Sequence, residues 1–179
     1  MRFVLPIFFL LVCLAAPARA QSGAVGASYT FLSLTYPDQI PNGFGGWATW
    51  RFIDLTANLF PEDHPIVGRQ VQLLGGVRGG FRGERVGAYL RLRPGLVHFT
   101  ERFYAPDTVC ILIFPPPESC LIEGTNAAVD VGGTAEITPP GRLVIRVDVG
   151  DTLIRFGREG RDAVWKHNLQ LAAGAGVRF

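Results

Sequence analysis

Beyond its first twenty residues the chain has no apolar run approaching the roughly 18–20 residues that a membrane-crossing helix needs, which excludes a helical anchor. It also lacks net charge. Seventeen Lys and Arg stand against fifteen Asp and Glu, but Arg2 and Arg19 fall within residues 1–20, where there is no acid. Fifteen bases therefore face fifteen acids in the remainder, and no basic patch for nucleic acid is expected. Cysteine and histidine are scarce: Cys13, Cys110, Cys120, His64, His98 and His167. Their spacing matches no metal-ligand pattern, so neither a metal nor another cofactor is expected. The glycine-rich stretch Gly75-Gly76-Val77-Arg78-Gly79-Gly80 sits inside an alternating segment, with no helix and no Lys-Ser/Thr after it. It reads as a bend in a strand and not as a phosphate loop.

Residues 1–20 have the form of a secretory signal. Arg2 supplies the positive start, residues 3–16 the apolar middle, and Ala18-Arg19-Ala20 the small-x-small cleavage pattern. Val12 before Cys13 is too large for lipoprotein cleavage, so the expected mature chain begins at Gln21 and residues 21–179 form one domain. In an exported chain, Cys110 and Cys120 are expected to form a disulfide.

What the sequence has in abundance is period-two alternation. Residues 167–179 place Leu169, Leu171, Ala173, Ala175, Val177 and Phe179 on one face, with small or polar residues on the other. Similar segments fall at 23–35, 44–52, 53–60, 70–81, 85–99, 126–137 and 143–156. That makes eight strands. The connections alternate in length, short at 51–54, 82–84 and 138–141, longer at 36–43, 61–69, 101–125 and 157–166. This rhythm predicts an all-β fold: a closed, antiparallel, up-and-down transmembrane β-barrel of eight strands with both chain ends on the short-turn side. Counting depth along each strand puts Phe44, Trp47, Phe60, Phe99, Phe103, Tyr104, Phe156 and Trp165 near the long-loop end. Trp50, Phe52, Phe81 and Phe179 fall near the other, giving two aromatic girdles.

The strand rhythm and the final segment, His167-Asn168-Leu169-Gln170-Leu171-Ala172-Ala173-Gly174 through Arg178-Phe179, resemble the small OmpA-type outer-membrane β-barrels. The resemblance implies residence in a Gram-negative outer membrane, contact with its lipid and a monomeric barrel. It further implies that Phe179 ends a signal read by the barrel-assembly machinery.

In such a barrel the charges must face the lumen, because an Arg at mid-depth toward lipid costs roughly 2–4 kcal/mol. Asp54, Arg78, Arg91, Arg93, Asp130, Glu136, Arg146, Asp148 and Arg178 are therefore expected to form an internal ionic network. An eight-stranded lumen is only wide enough for side chains to fill it, so a plug is expected over an ion path. The alternatives are a narrow channel, a soluble ligand-binding barrel and an enzyme acting on lipid A. The last would need a nucleophile beside a base; Ser33 and His167 are the pair that strand closure brings nearest, with Ser28 and Ser119 as other serines. No catalytic residue is assigned. The third long loop, 101–125, carries Ile111, Leu112, Ile113 and Phe114 between the cysteines, apolar residues suited to a surface partner or to a lid. A bridge closing that loop would contribute roughly 2–3 kcal/mol.

Overall fold

A computed structural model describes residues 23–35, 40–64, 68–104, 121–156 and 164–179. Residues 1–22, where the signal peptide is expected, Cys110, Cys120, Ser119 and the apolar residues 111–114 lie outside the described residues, as does Cys13.

The strands are β1 (Ala24–Ser33), β2 (Asn42–Trp50), β3 (Ile53–His64), β4 (Gly68–Arg82), β5 (Val86–Tyr104), β6 (Leu121–Ile137), β7 (Leu143–Phe156), β8 (Val164–Lys166) and β9 (Leu169–Arg178). From β1 to β7 each pairs antiparallel with the next, β7 pairs with both β8 and β9, and β9 closes the sheet on β1. β8 and β9 form one staff in two pieces: both pair with β7 in a single continuous register. Between them the Thr152 N–H donates to the Asn168 carbonyl (2.8 Å), and side chains add the Asn168 amide N–H to Asp151 Oδ1 (3.1 Å) and Asn168 Nδ2 to the Thr152 carbonyl (2.8 Å). The result is a closed barrel of eight staves.

The stagger of that closure positions everything inside it. Crossing from partner to partner starting at Ala24, the path runs through Thr49, Asp54, Gly76, Arg93, Asp130, Thr152 and Asn168. It returns to β1 beside Leu34, ten residues beyond its start. With a rise of ~3.3 Å per residue and strands ~4.8 Å apart, a stagger of this size tilts the strands by about 40°. Residues far apart in the sequence thereby share one line across the lumen.

The two faces of the sheet are inverted relative to a soluble sandwich. Leu55, Leu73, Leu90 and Val131 point outward and are about half exposed, whereas Asp54 and Asp130 are fully buried inside. The apolar outward face runs over 71–81 on β4, 86–96 on β5 and 169–179 through β9, close to the length a tilted strand needs to cross a bilayer. Aromatic rings edge this band on the turn side, where Trp50, Phe52, Phe81 and Phe179 are exposed and the Trp50 and Phe179 centroids lie 6.1 Å apart. On the loop side Phe44 and Trp165 face outward. Trp47, Phe60, Phe99 and Phe156 do not join that girdle: all four are buried in the lumen. Alternation explains the difference, since Phe60 shares its face with Asp54 and Phe156 shares its face with Arg146.

Candidate functional site

The lumen is layered along its axis. Nearest the long loops is an apolar cluster, with Leu32, Leu34, Phe60, Phe99 and Phe156 among its members. The Phe99 and Phe156 rings lie 6.1 Å apart there. Next comes a belt of amides and hydroxyls. Thr30 Oγ1 donates to Asn58 Oδ1 (3.3 Å), Asn58 Nδ2 to Gln72 Oε1 (2.7 Å), and Gln72 Nε2 to Gln170 Oε1 (3.0 Å). The Thr152 hydroxyl donates to the same Gln170 oxygen (2.8 Å), so the belt links β1, β3, β4, β7 and the last stave.

Toward the turns lies the charged layer, and its geometry is a closed ring. Asp130 Oδ2 accepts from Arg91 Nε (2.9 Å) and from Arg93 Nη2 (2.9 Å). Arg93 Nη1 reaches Asp54 Oδ1 at 3.3 Å, and Asp54 Oδ2 accepts from Arg146 Nη2 at 2.7 Å. Arg146 Nε donates to Asp148 Oδ2 (2.8 Å), and Asp148 Oδ1 pairs back to Arg91 Nη1. Three arginines and three aspartates thus alternate around the barrel, each ion touching two of opposite sign. The group is neutral, and its members are almost wholly buried. Burying one such ion alone is prohibitive; alternation with bonded partners on both sides offsets the lost hydration.

Hydroxyls add further bonds to the ring, while Arg91 Nη2 and Arg146 Nη1 are buried without a hydrogen-bond partner among the described residues. Arg93 Nη1 donates to Thr56 Oγ1 (2.5 Å), Thr134 Oγ1 donates to Asp148 Oδ1 (2.5 Å), and Arg91 Nη1 reaches Thr134 (3.0 Å). Two glycines make room. A Cβ on Gly150 would stand 2.7 Å from Asp130 Oδ1 and 2.9 Å from Arg91 Nη2. One on Gly76 would stand 2.7 Å from the Arg93 Cα and closer still to the Leu92 carbonyl. Trp47 closes one side, with the Arg146 guanidinium 5.0 Å above its ring, a cation–π contact in a desolvated setting.

Arg78 and Glu136 stand apart from the ring as a separate buried pair nearer the turns, with Arg78 4.4 Å over the Tyr89 ring. Arg178 is not held by a carboxylate there: its Nη2 donates to Thr138 Oγ1 (2.7 Å) at the mouth of the lumen. The nine charged residues singled out from sequence therefore divide into a ring of six, a pair and a mouth arginine.

The polar residues that sequence reasoning missed are Thr56, Thr134, Thr152 and the Asn58–Gln72–Gln170 chain. Their signal was present, because all fall on the same alternate positions as the charges. Outside the barrel, His167 Nδ1 lies 2.6 Å from Asp151 Oδ2 on the exposed face near the loops. Ser33 does not meet His167; it lies opposite Leu169 in the β1–β9 register, and the Thr35 hydroxyl instead donates to the His167 carbonyl. His98 Nδ1 contacts Thr125 Oγ1 at 3.1 Å. Among the described residues no cluster of metal-ligating side chains forms.

An apolar outer wall, a buried charged interior and closure by eight staves together define the architecture. The N-terminal β-barrel domain of Pseudomonas aeruginosa OprF superimposes on it with a TM-score of 0.50 and 12% identity, over 89% of this chain and 99% of that one. The fold is that of a small outer-membrane barrel. Ail of Yersinia pestis aligns at 14% identity over 89% of this chain and 97% of its own, with a TM-score of 0.47. Neisserial surface protein A aligns at 14% identity over 92% of this chain and all of its own, also at 0.47. No family model and no curated protein matches the sequence.

Proposed function

We propose that this chain is an integral outer-membrane protein of Gram-negative type, a monomeric barrel with a closed lumen that holds its long loops at the outer surface. The observation that carries the reading is the inverted sheet, with Leu55, Leu73 and Leu90 outside and the six-membered ion ring inside. A water-soluble protein with so much apolar wall would aggregate; lipid removes that cost. The lumen in this reading is a plug. Its ions neutralise one another, its amides span the middle, and its phenylalanines cap the loop end, which supports a closed path among the described residues.

The accompanying elements are proposals of the same reading: removal of residues 1–20 on export, a Cys110–Cys120 bridge, and Phe179 as the end of the assembly signal. Contact with a surface partner through Ile111, Leu112, Ile113 and Phe114 belongs with them. No enzymatic step is assigned, and the lipid A of cells lacking the protein is expected to keep its mass.

Heat-modifiability tests the reading. The mature protein from the outer-membrane fraction should run as a compact band on SDS gels and shift on boiling. In planar bilayers it should give no unitary conductance. Recovery in the soluble fraction without a shift would overturn the membrane assignment, and steady unitary currents would overturn the plug.

A further inference from the structure

The two ends of the barrel carry opposite charge. At the turn end, Arg51, Arg82, Arg85, Arg142 and Arg178 stand against the single acid Glu84. The long connections at the other end, read from the sequence over 36–43, 61–69, 101–125 and 157–166, hold nine acids against five Lys and Arg. The lumen between them is balanced. A polarity of this kind is not required by the fold, since none of Arg51, Arg85 and Arg142 has an ion-pair partner among the described residues.

Their placement is specific. Arg51 lies between Trp50 and Phe52, Arg82 follows Phe81, and Arg178 precedes Phe179, the four aromatics that edge the apolar band on this side. Aromatic rings of that kind settle at the membrane–water interface, so Arg51, set between two of them, stands at phosphate depth, and Arg85 and Arg142 lie at the same end, their carbonyls accepting from Thr138 N–H and Arg178 N–H. Arg51 also occupies a strained backbone. It sits in the two-residue turn between Trp50 and Ile53 at φ 55, a left-handed conformation that Gly or Asn adopts at little cost and Arg does not. A charged, planar phosphate-binding group is kept where local geometry disfavours it.

From these observations we propose that the turn-side rim is a binding surface for anionic phospholipid headgroups, whose phosphates are held by Arg51, Arg85 and Arg142. Guanidinium forks match phosphate oxygens, and clustered bases beside a membrane draw anionic lipid from a mixed leaflet. The inference rests on the membrane reading above and goes beyond it, because it names which lipid the rim selects and on which side.

The test is native mass spectrometry of the full barrel released from bilayers of equimolar phosphatidylglycerol and phosphatidylcholine. Phosphatidylglycerol should be retained in severalfold excess. The triple variant R51Q/R85Q/R142Q should retain the two lipids equally while keeping its heat shift on gels, whereas R69Q/R155Q at the loop end should retain the excess. Equal retention by the unaltered protein, or an unchanged excess in the triple variant, would overturn the proposal. So would loss of the excess on adding millimolar inorganic phosphate at constant ionic strength, which would assign the rim to a free anion. Failure to insert into pure phosphatidylcholine would instead strike the membrane reading itself.

Discussion

Asp54 and Arg146 are 92 residues apart in sequence, yet Asp54 Oδ2 accepts a 2.7 Å hydrogen bond from Arg146 Nη2 across the lumen. The same carboxylate is shared with Arg93, so Asp54 joins β3 to β5 and β7, strands that are not its sheet neighbours. Its loss would leave two buried guanidiniums each short of one partner. Asp54→Ala is expected to destabilise the barrel by about 3–5 kcal/mol, the cost of orphaning a buried ion. Arg146→Ala should cost a similar amount, and the double variant clearly less than the sum. Denaturant unfolding in lipid vesicles measures all three; strict additivity would show that the ring does not act as a unit.

Gly150 permits the Arg91–Asp130 contact by having no side chain. Gly150→Ala would push a methyl group to within 2.7 Å of Asp130 Oδ1 and 2.9 Å of Arg91 Nη2. Both side chains are buried and tied to the ring through their other atoms, Arg91 Nε and Asp130 Oδ2, which limits how far they can move. The expected loss is about 1–3 kcal/mol, the usual cost of overpacking. An unfolding midpoint equal to that of the unaltered protein would mean the ring is slack at this point.

The outer wall gives a prediction that separates lipid from water. Leu55 faces outward, half exposed, on the back of the strand that carries Asp54 and Thr56. In a bilayer Leu55→Arg should cost up to about 2–4 kcal/mol, depending on its depth. In a water-soluble barrel the same surface change would shift stability by no more than about 0.5 kcal/mol. Folding of the variant into vesicles, followed by the heat-shifted band, reads the difference.

Arg51 supplies a substitution that should improve the fold. Replacing it with Asn relieves the positive φ in the tight turn between β2 and β3. A gain of about 1 kcal/mol in unfolding free energy is expected from the left-handed penalty removed. If the rim is a lipid site, that gain should come with weaker retention of phosphatidylglycerol, so stability and lipid selection should move in opposite directions.

The strands and the face each side chain takes were legible in the sequence. Alternation at period two assigns a residue to the inside or the outside without reference to any partner, which is why Asp54, Arg93, Asp130 and Arg146 could be placed in the lumen residue by residue. The same parity places Phe60 and Phe156 inside; depth counted along each strand put them in the girdle because it ignored the face. Which arginine meets which aspartate was not legible. That depends on the ten-residue stagger of the closed sheet, set when β9 pairs with β1, and no local pattern encodes it. Only the closed barrel puts Arg146 opposite Asp54, leaves Glu136 to Arg78, and brings Arg178 to Thr138 at the mouth.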